Sequence, residues 1–179
     1  MPLAREHVPI ELTKDLFHMQ RDPSTPAPPT LTAGATYTVD LPIRWGDCDA
    51  LKHLNNTVYF RLMEEARIKM MQASGLPYPE GQGIVLAHAS CDFKRSFTYP
   101  ADVRVSHVLT RIGRSSMELA LVLTRADDPE QTVYASGRNV LVWTDMAQGT
   151  SLPWPAYILE GLAAHTTGVA EQHAPDAIS

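Results

Sequence analysis

The sequence predicts an α+β domain in which an antiparallel sheet curls around one long helix. Three observations lead there. Apolar residues recur at three- and four-residue spacing over residues 55–74, the signature of one amphipathic helix. Five β-rich runs flank that segment, one before it and four after it. The links between the last four runs are too short for parallel crossovers, which need a dozen or more residues, so those strands are antiparallel. A single helix against five strands must bury its apolar face on the sheet.

The elements follow in order. Residues 37–45 (YTVDLPIRW) alternate and are rich in β-formers, so they read as the first strand. Residues 46–54 form a polar loop. The helix of 55–74 carries Tyr59, Leu62, Met63, Ala66, Met70 and Ala73 on its apolar face. Arg61, Glu65 and Lys69 recur every four residues on another face, so that side must meet solvent or a partner subunit. Glu64 and Arg67, three apart, read as an ordinary surface or interface pair. Gly75 followed by Pro77 ends the helix. Strands are predicted over 84–97, 102–112, 116–126 and 132–144, with turn signals at 99–102 (YPAD), 113–115 (GRS) and 127–130 (DDPE). A short helix is predicted over 153–164. His88 alternates within its strand and reads as a packed histidine.

Residues 1–34 read as an appendage. Residues 10–19 (IELTKDLFHM) fit a short helix, and the four prolines of 22–29 allow only an extended arm or a disordered tail. The domain itself is placed at 35–165, with 166–179 as a flexible C-terminal tail. The chain is 44% hydrophobic with a net charge of −5 and no long basic run, which favours a real core and argues against nucleic-acid binding. Two cysteines, Cys48 and Cys91, lack metal spacing and read as reduced thiols. No apolar stretch suits a secretory signal or a membrane span, so the protein is expected in the cytoplasm.

The chemistry-bearing run is residues 44–59, RWGDCDALKHLNNTVY. It lies between a strand and the start of the long helix. Asn55 or Asn56 is a good N-cap. A helix N-terminus offers unpaired N–H groups and a positive dipole end, which can polarise a carbonyl and hold an oxyanion. Asp49 stands six residues ahead of Asn55, close enough to fold back over that end. A carboxylate there can attack a carbonyl or activate water. A thioester suits it, because the carbonyl is activated and the thiolate leaves without strong acid help. Asp47 reads as a loop cap.

The pattern R-W-x-D-x-D-x-x-x-H-x-N-N-x-x-Y, followed by Glu64-Glu-Ala-Arg67, resembles the hotdog-fold acyl-CoA thioesterases of the 4-hydroxybenzoyl-CoA thioesterase type. The resemblance covers roughly residues 36–147. It implies a hotdog fold, a five-stranded antiparallel sheet around one long helix. It implies hydrolysis of a fatty or aromatic acyl-CoA, with Asp49 as the catalytic carboxylate and the backbone N–H near Asn56 as oxyanion donor. His53, Asn55 and Asn56 would shape the site or orient water. Tyr59 and Met63 would line the acyl pocket. Arg114 and Ser115 match positions near the CoA phosphates, with Lys94 and Arg95 as further candidates. A homodimer or dimer of dimers is implied, with CoA at a subunit interface. No metal or redox cofactor is implied; CoA enters with the substrate.

The stretch Asp49-x-x-x-His53-x-Asn55-Asn56 is also similar to the plant acyl-ACP thioesterases. Those carry an asparagine two residues before the histidine, where this chain has Leu51, so their fuller catalytic set is not carried over. A non-catalytic acyl-thioester binder on the same fold is a second reading. A hotdog hydratase is a third, and the four-residue spacing of Asp49 and His53 argues against it.

Overall fold

A computed structural model describes residues 30–75 and 78–168. The helix predicted at 10–19, the proline-rich stretch at 22–29 and residues 169–179 of the predicted tail lie outside the described residues. The elements in chain order are β1 (Thr36–Pro42), α1 (Asn56–Ala73), β2 (Gln82–Phe93), β3 (Asp102–Ile112), β4 (Ser116–Arg125), β5 (Ala135–Asp145), β6 (Thr150–Ser151) and α2 (Ala156–Ala164).

The strands form one antiparallel sheet in the order β1-β3-β4-β5-β2, with β6 on β5. This is the predicted α+β hotdog architecture, with a sixth, two-residue strand added. Alternate residues of β3, β4 and β5 are buried in the core, as period-two geometry requires. Val103, Val105 and Leu109 of β3, Met117, Leu119, Leu121 and Leu123 of β4, and Leu141 and Trp143 of β5 are all buried. They share one core with Tyr59, Leu62, Met63, Ala66 and Met70 of α1. His107 and Asn139 stand on the same buried faces and interrupt this apolar surface.

Two glycines let backbones close up. At Gly137 of β5 an added Cβ would collide with the Ser90 carbonyl of β2, and Met63 Cε would lie 3.4 Å away. At Gly161 of α2 an added Cβ would collide with the Ser74 carbonyl, so α2 crosses the end of α1 without clearance.

Element ends differ from the predicted ones for local reasons. β1 stops at Pro42, and Trp45–Asp47 forms a 3₁₀ turn in which the Arg44 N–H donates to Asp47 Oδ2 at 2.8 Å. β2 stops at Phe93, because the Lys94 and Arg95 N–H groups both donate to the Tyr134 carbonyl and break the ladder. β5 starts only at Ala135, because the Asp128 carboxylate accepts from the Glu130 and Thr132 N–H groups and holds a turn there. Ordered structure reaches slightly beyond the 35–165 boundaries. Leu31 is in the core, and Thr36 and Thr167 exchange two backbone hydrogen bonds of 2.9 Å. His88 is not packed: it lies opposite Val140 on an exposed part of β2. β2 has no strand beyond it among the described residues, and Val85–Ala89 is exposed throughout.

Candidate active site

The segment between β1 and α1 folds as a small hairpin. Cys48 pairs with Leu54, and the Asn55 N–H donates to the Asp47 carbonyl at 3.0 Å. At the tip, the Asp49 N–H donates to the His53 carbonyl (2.8 Å) and the Lys52 N–H to the Asp49 carbonyl (3.0 Å). Lys52 takes φ 62°, the left-handed residue that closes a hairpin loop of this kind. The base is tied down twice. The Leu54 N–H donates to the Phe97 carbonyl (2.9 Å), and the Arg61 guanidinium donates to Asp47 Oδ1 at 2.6 Å. Asp47 is thus the structural carboxylate of the pair.

Asp49 is oriented by its own loop. Its Oδ1 accepts from the Leu51 N–H (2.9 Å) and the His53 N–H (3.1 Å), whereas Oδ2 has no partner among the described residues. This is the side-chain turn that aspartate forms readily. One oxygen is fixed, and the residue lines a cleft of about 680 Å³ together with Trp45, Cys48, Lys52 and Tyr99. Trp45 is 80% exposed on its rim.

Asn55 is the N-cap of α1: its Oδ1 accepts from the Thr57 N–H (2.9 Å) and Thr57 Oγ1 (2.8 Å). The Val58 N–H donates to the Asn55 carbonyl. The Asn56 N–H is left without a partner among the described residues, as the first turn of a helix dictates. Asp49 lies two hairpin residues from this open helix end, on the order of 7 Å of strand.

Below the helix start runs a second concavity of about 460 Å³, between α1 and strands β2 and β5. Thr57, Phe60 and Met63 line it from α1, followed by Arg67; Leu86, Ala89 and Asn139 line it from the sheet.

The predicted residues separate into groups. Asp49 faces the first cleft; His53, Asn55 and Asn56 are exposed beside it on the hairpin and cap, and His53 holds the loop through its backbone. Met63 lines the groove. Tyr59 lines neither concavity. It is buried, its hydroxyl donates to the Arg95 carbonyl (3.3 Å), and its ring packs on Phe93 and Phe97. It anchors the chain that follows β2, which corrects its expected role in the acyl pocket. Lys94 and Arg95 lie at the Asp49 end of the sheet, since Phe93 pairs with Ala135 and Ala135 is in register with Leu123. Arg114 and Ser115 lie at the opposite end, where their carbonyls accept from Trp154 and Trp143. β3 has 11 residues and runs between the two ends, so about 30 Å separates them within one chain.

Lys52, Tyr99 and Asn139 were missed as candidates. Asn139 had a readable signal: it shares the core-facing alternation of Ala135, Gly137, Leu141 and Trp143, where an amide is out of place. Lys52 and Tyr99 had none, because their convergence depends on the hairpin folding against residues 97–98.

The family and the solved structures that this fold matches make the class a thioester hydrolase. The chain belongs to the Thioesterase-like superfamily, whose family model matches residues 43–162. It is similar to the structure of a candidate thioesterase from Pseudomonas aeruginosa, with 34% identity and TM-score 0.65 over 69% of this chain and 95% of that one. A candidate acyl-CoA thioesterase from Xanthomonas campestris matches at 29% identity and TM-score 0.55, over 61% of this chain and 92% of that one. A candidate esterase from Aquifex aeolicus is 26% identical over 48% of this chain and 70% of its own length. Among the described residues no helix is long and apolar enough to cross a membrane.

Proposed function

We propose that this protein hydrolyses acyl-CoA thioesters to free acid and CoA, with Asp49 as nucleophile or general base. The observation that carries the reading is the Asp49 carboxylate, pinned through Oδ1 at the wall of a cleft formed by the hairpin that leads into α1. The carbonyl oxygen would sit on the Asn56 N–H, which also feels the positive helix end. Asp49 Oδ2 then either attacks the carbonyl carbon or takes a proton from the attacking water. The thiolate leaves in both routes, and the net reaction consumes one water. His53, beside this carboxylate, would help to orient that water. No metal or redox cofactor is called for.

Phe60, Met63 and Leu86 in the groove suit a fatty or aromatic acyl group. Lys52, Lys94 and Arg95 give positive charge at the Asp49 end for the CoA phosphates. Arg114 and Ser115, about 30 Å away, can join them only from another copy of the chain. This supports a homodimer or dimer of dimers with CoA at the subunit interface. The exposed edge of β2, unpaired among the described residues, offers a pairing surface.

The test is thiol release from a panel of acyl-CoAs. Asp49→Ala should lower kcat about 10²-fold or more, with the fold unchanged by circular dichroism. Full activity in Asp49→Ala, or an inactive wild type on every ester, rejects the reading. A single turnover in ¹⁸O-water tests for attack by Asp49: direct attack by water labels only the acid, whereas ¹⁸O in the Asp49 carboxylate marks a mixed anhydride opened by water at the Asp49 carbon.

A further inference from the structure

Of the cations on α1, two are well served: Asp47 binds Arg61 at 2.6 Å, and Lys69 is well exposed beside Glu65. Arg67 is the exception. Its side chain is 12% exposed and makes no hydrogen bond among the described residues. Its ion pair is a loose 3.8 Å contact from Nη2 to Oε1 of Glu64, whose side chain is 65% exposed and screened by water. Burial pulls the Arg67 pKa below the ordinary arginine value, and Glu64 restores only part of it. A guanidinium carries five N–H donors, and a buried charge left without acceptors is costly. Such a side chain calls for an anion that arrives from outside the fold.

Arg67 lines the groove under α1, whose other end begins at Thr57, next to the proposed oxyanion site. Nη2 stands beside the exposed Glu64, which lines the same groove, so the guanidinium is reached from the open side and not through the core. Among the described residues no other carboxylate lines this groove. Between the two ends lie the apolar side chains of Phe60, Met63 and Leu86. Thr57 and Arg67 are about 15 Å apart along the helix at 1.5 Å per residue. Helical side chains lean toward the N-terminus, which brings the guanidinium back to about 10 Å from the helix start. An extended chain gains about 1.2 Å per bond, so about eight bonds span that distance.

We infer that Arg67 is a specificity residue for a carboxylate at the far end of the acyl group, which makes mono-thioesters of dicarboxylic acids the preferred substrate class. The inference rests on the thioesterase reading above and deepens it. A carboxylate accepts two parallel N–H groups of a guanidinium, and it would displace the loosely held Glu64 into water. A methyl end in the same place would leave the cation unpaired, and sites built to bond a polar group reject analogues that lack it.

The experiment compares kcat/KM within pairs of equal chain length: hexanoyl-CoA against adipoyl-CoA, octanoyl-CoA against suberoyl-CoA, and decanoyl-CoA against sebacoyl-CoA. Wild type should prefer the carboxylated member of at least one pair about ten- to hundredfold. Arg67→Met, similar in length and uncharged, should lose that preference. A folding defect lowers both members of a pair alike and leaves their ratio, so the ratio reads the contact itself. Arg67→Gln serves as a second variant should the methionine fold poorly. Glu64→Gln, which removes the competing carboxylate, should keep or raise the preference. No preference for a carboxylated member in wild type, a preference kept in both Arg67 variants, or one abolished in Glu64→Gln overturns the inference and leaves the thioesterase reading intact. Absence of preference together with a lower mass for Arg67→Met in sedimentation would assign the guanidinium to a carboxylate of a second copy instead. If no ester is hydrolysed, the thioesterase reading fails separately. Calorimetric binding of suberate and octanoate to wild type and Arg67→Met then decides the matter. Tighter binding of suberate that the variant loses supports the inference, and any other result rejects it.

Discussion

The residue that the sequence marks most clearly, Asp49, behaves as a motif aspartate should, but its partners are backbone groups that no motif specifies. Its neighbour Asp47 is chemically identical and is consumed by Arg61 and the Arg44 N–H. Spacing alone separates these two aspartates only through family resemblance; geometry separates them by what each oxygen touches. Tyr59 shows the opposite case. Its helical position was read correctly as inward, but inward means core here, because Phe93 and Phe97 pack against its ring. His107 carries a prediction at this scale. Burial, reinforced by the nearby Arg67 charge, pushes its pKa from the ordinary 6.5 down to about 4. An unfolded chain takes up this proton near pH 6.5, whereas the folded chain refuses it until about pH 4. The unfolded state therefore binds more protons in that window, and stability falls as pH drops through it. The loss should be on the order of 3 kcal/mol by pH 4. Urea unfolding from pH 8 to 4 measures it, and His107→Leu should flatten that part of the profile. An equally steep profile in the variant would assign the effect to other groups.

At the scale of elements, helix and strand positions were legible because their periods are strong: α1 departs from prediction by one residue at each end. Strand ends were less legible. β2 and β5 were predicted too long because β-formers continue past the point where a carbonyl or carboxylate captures the next N–H groups, as Tyr134 and Asp128 do. The fit of β5 against β2 depends on Gly137. A methyl group there meets the Ser90 carbonyl, backbone that cannot swing away. Gly137→Ala should cost about 1–3 kcal/mol, read as a lower denaturation midpoint at unchanged m. Unchanged stability would mean that the two strands can part freely. The same substitution at Gly46, where nothing lies within 4 Å, is the control.

At the scale of the whole molecule, the separation of Asp49 from Arg114 leads to a complementation test. Asp49→Ala and Arg114→Glu should each be impaired on CoA esters. Mixed under conditions that exchange subunits, they should recover up to about a quarter of wild-type activity, because random pairing leaves one intact site in each mixed dimer. No recovery, with exchange verified by mass spectrometry, would place each site within one chain. Nothing in the sequence pattern could reveal this division. Only the strand order and the direction of β3 put the Asp49 loop and the 113–115 turn at opposite ends of the sheet.

The two borders of the sheet are not alike. β1 is engaged at its start by Thr167 and ends in proline, whereas β2 runs twelve residues with nothing beyond it among the described residues. A sheet open on both borders is a template for indefinite growth into fibres. A sheet with one receptive border terminates after a single two-fold join, since the joined pair exposes only the engaged borders. If copies join through β2, the residues that hold Thr36 against Thr167 would act as a chain terminator at the start of β1. Removing residues 166–179 should turn a species of fixed size into one that grows with concentration.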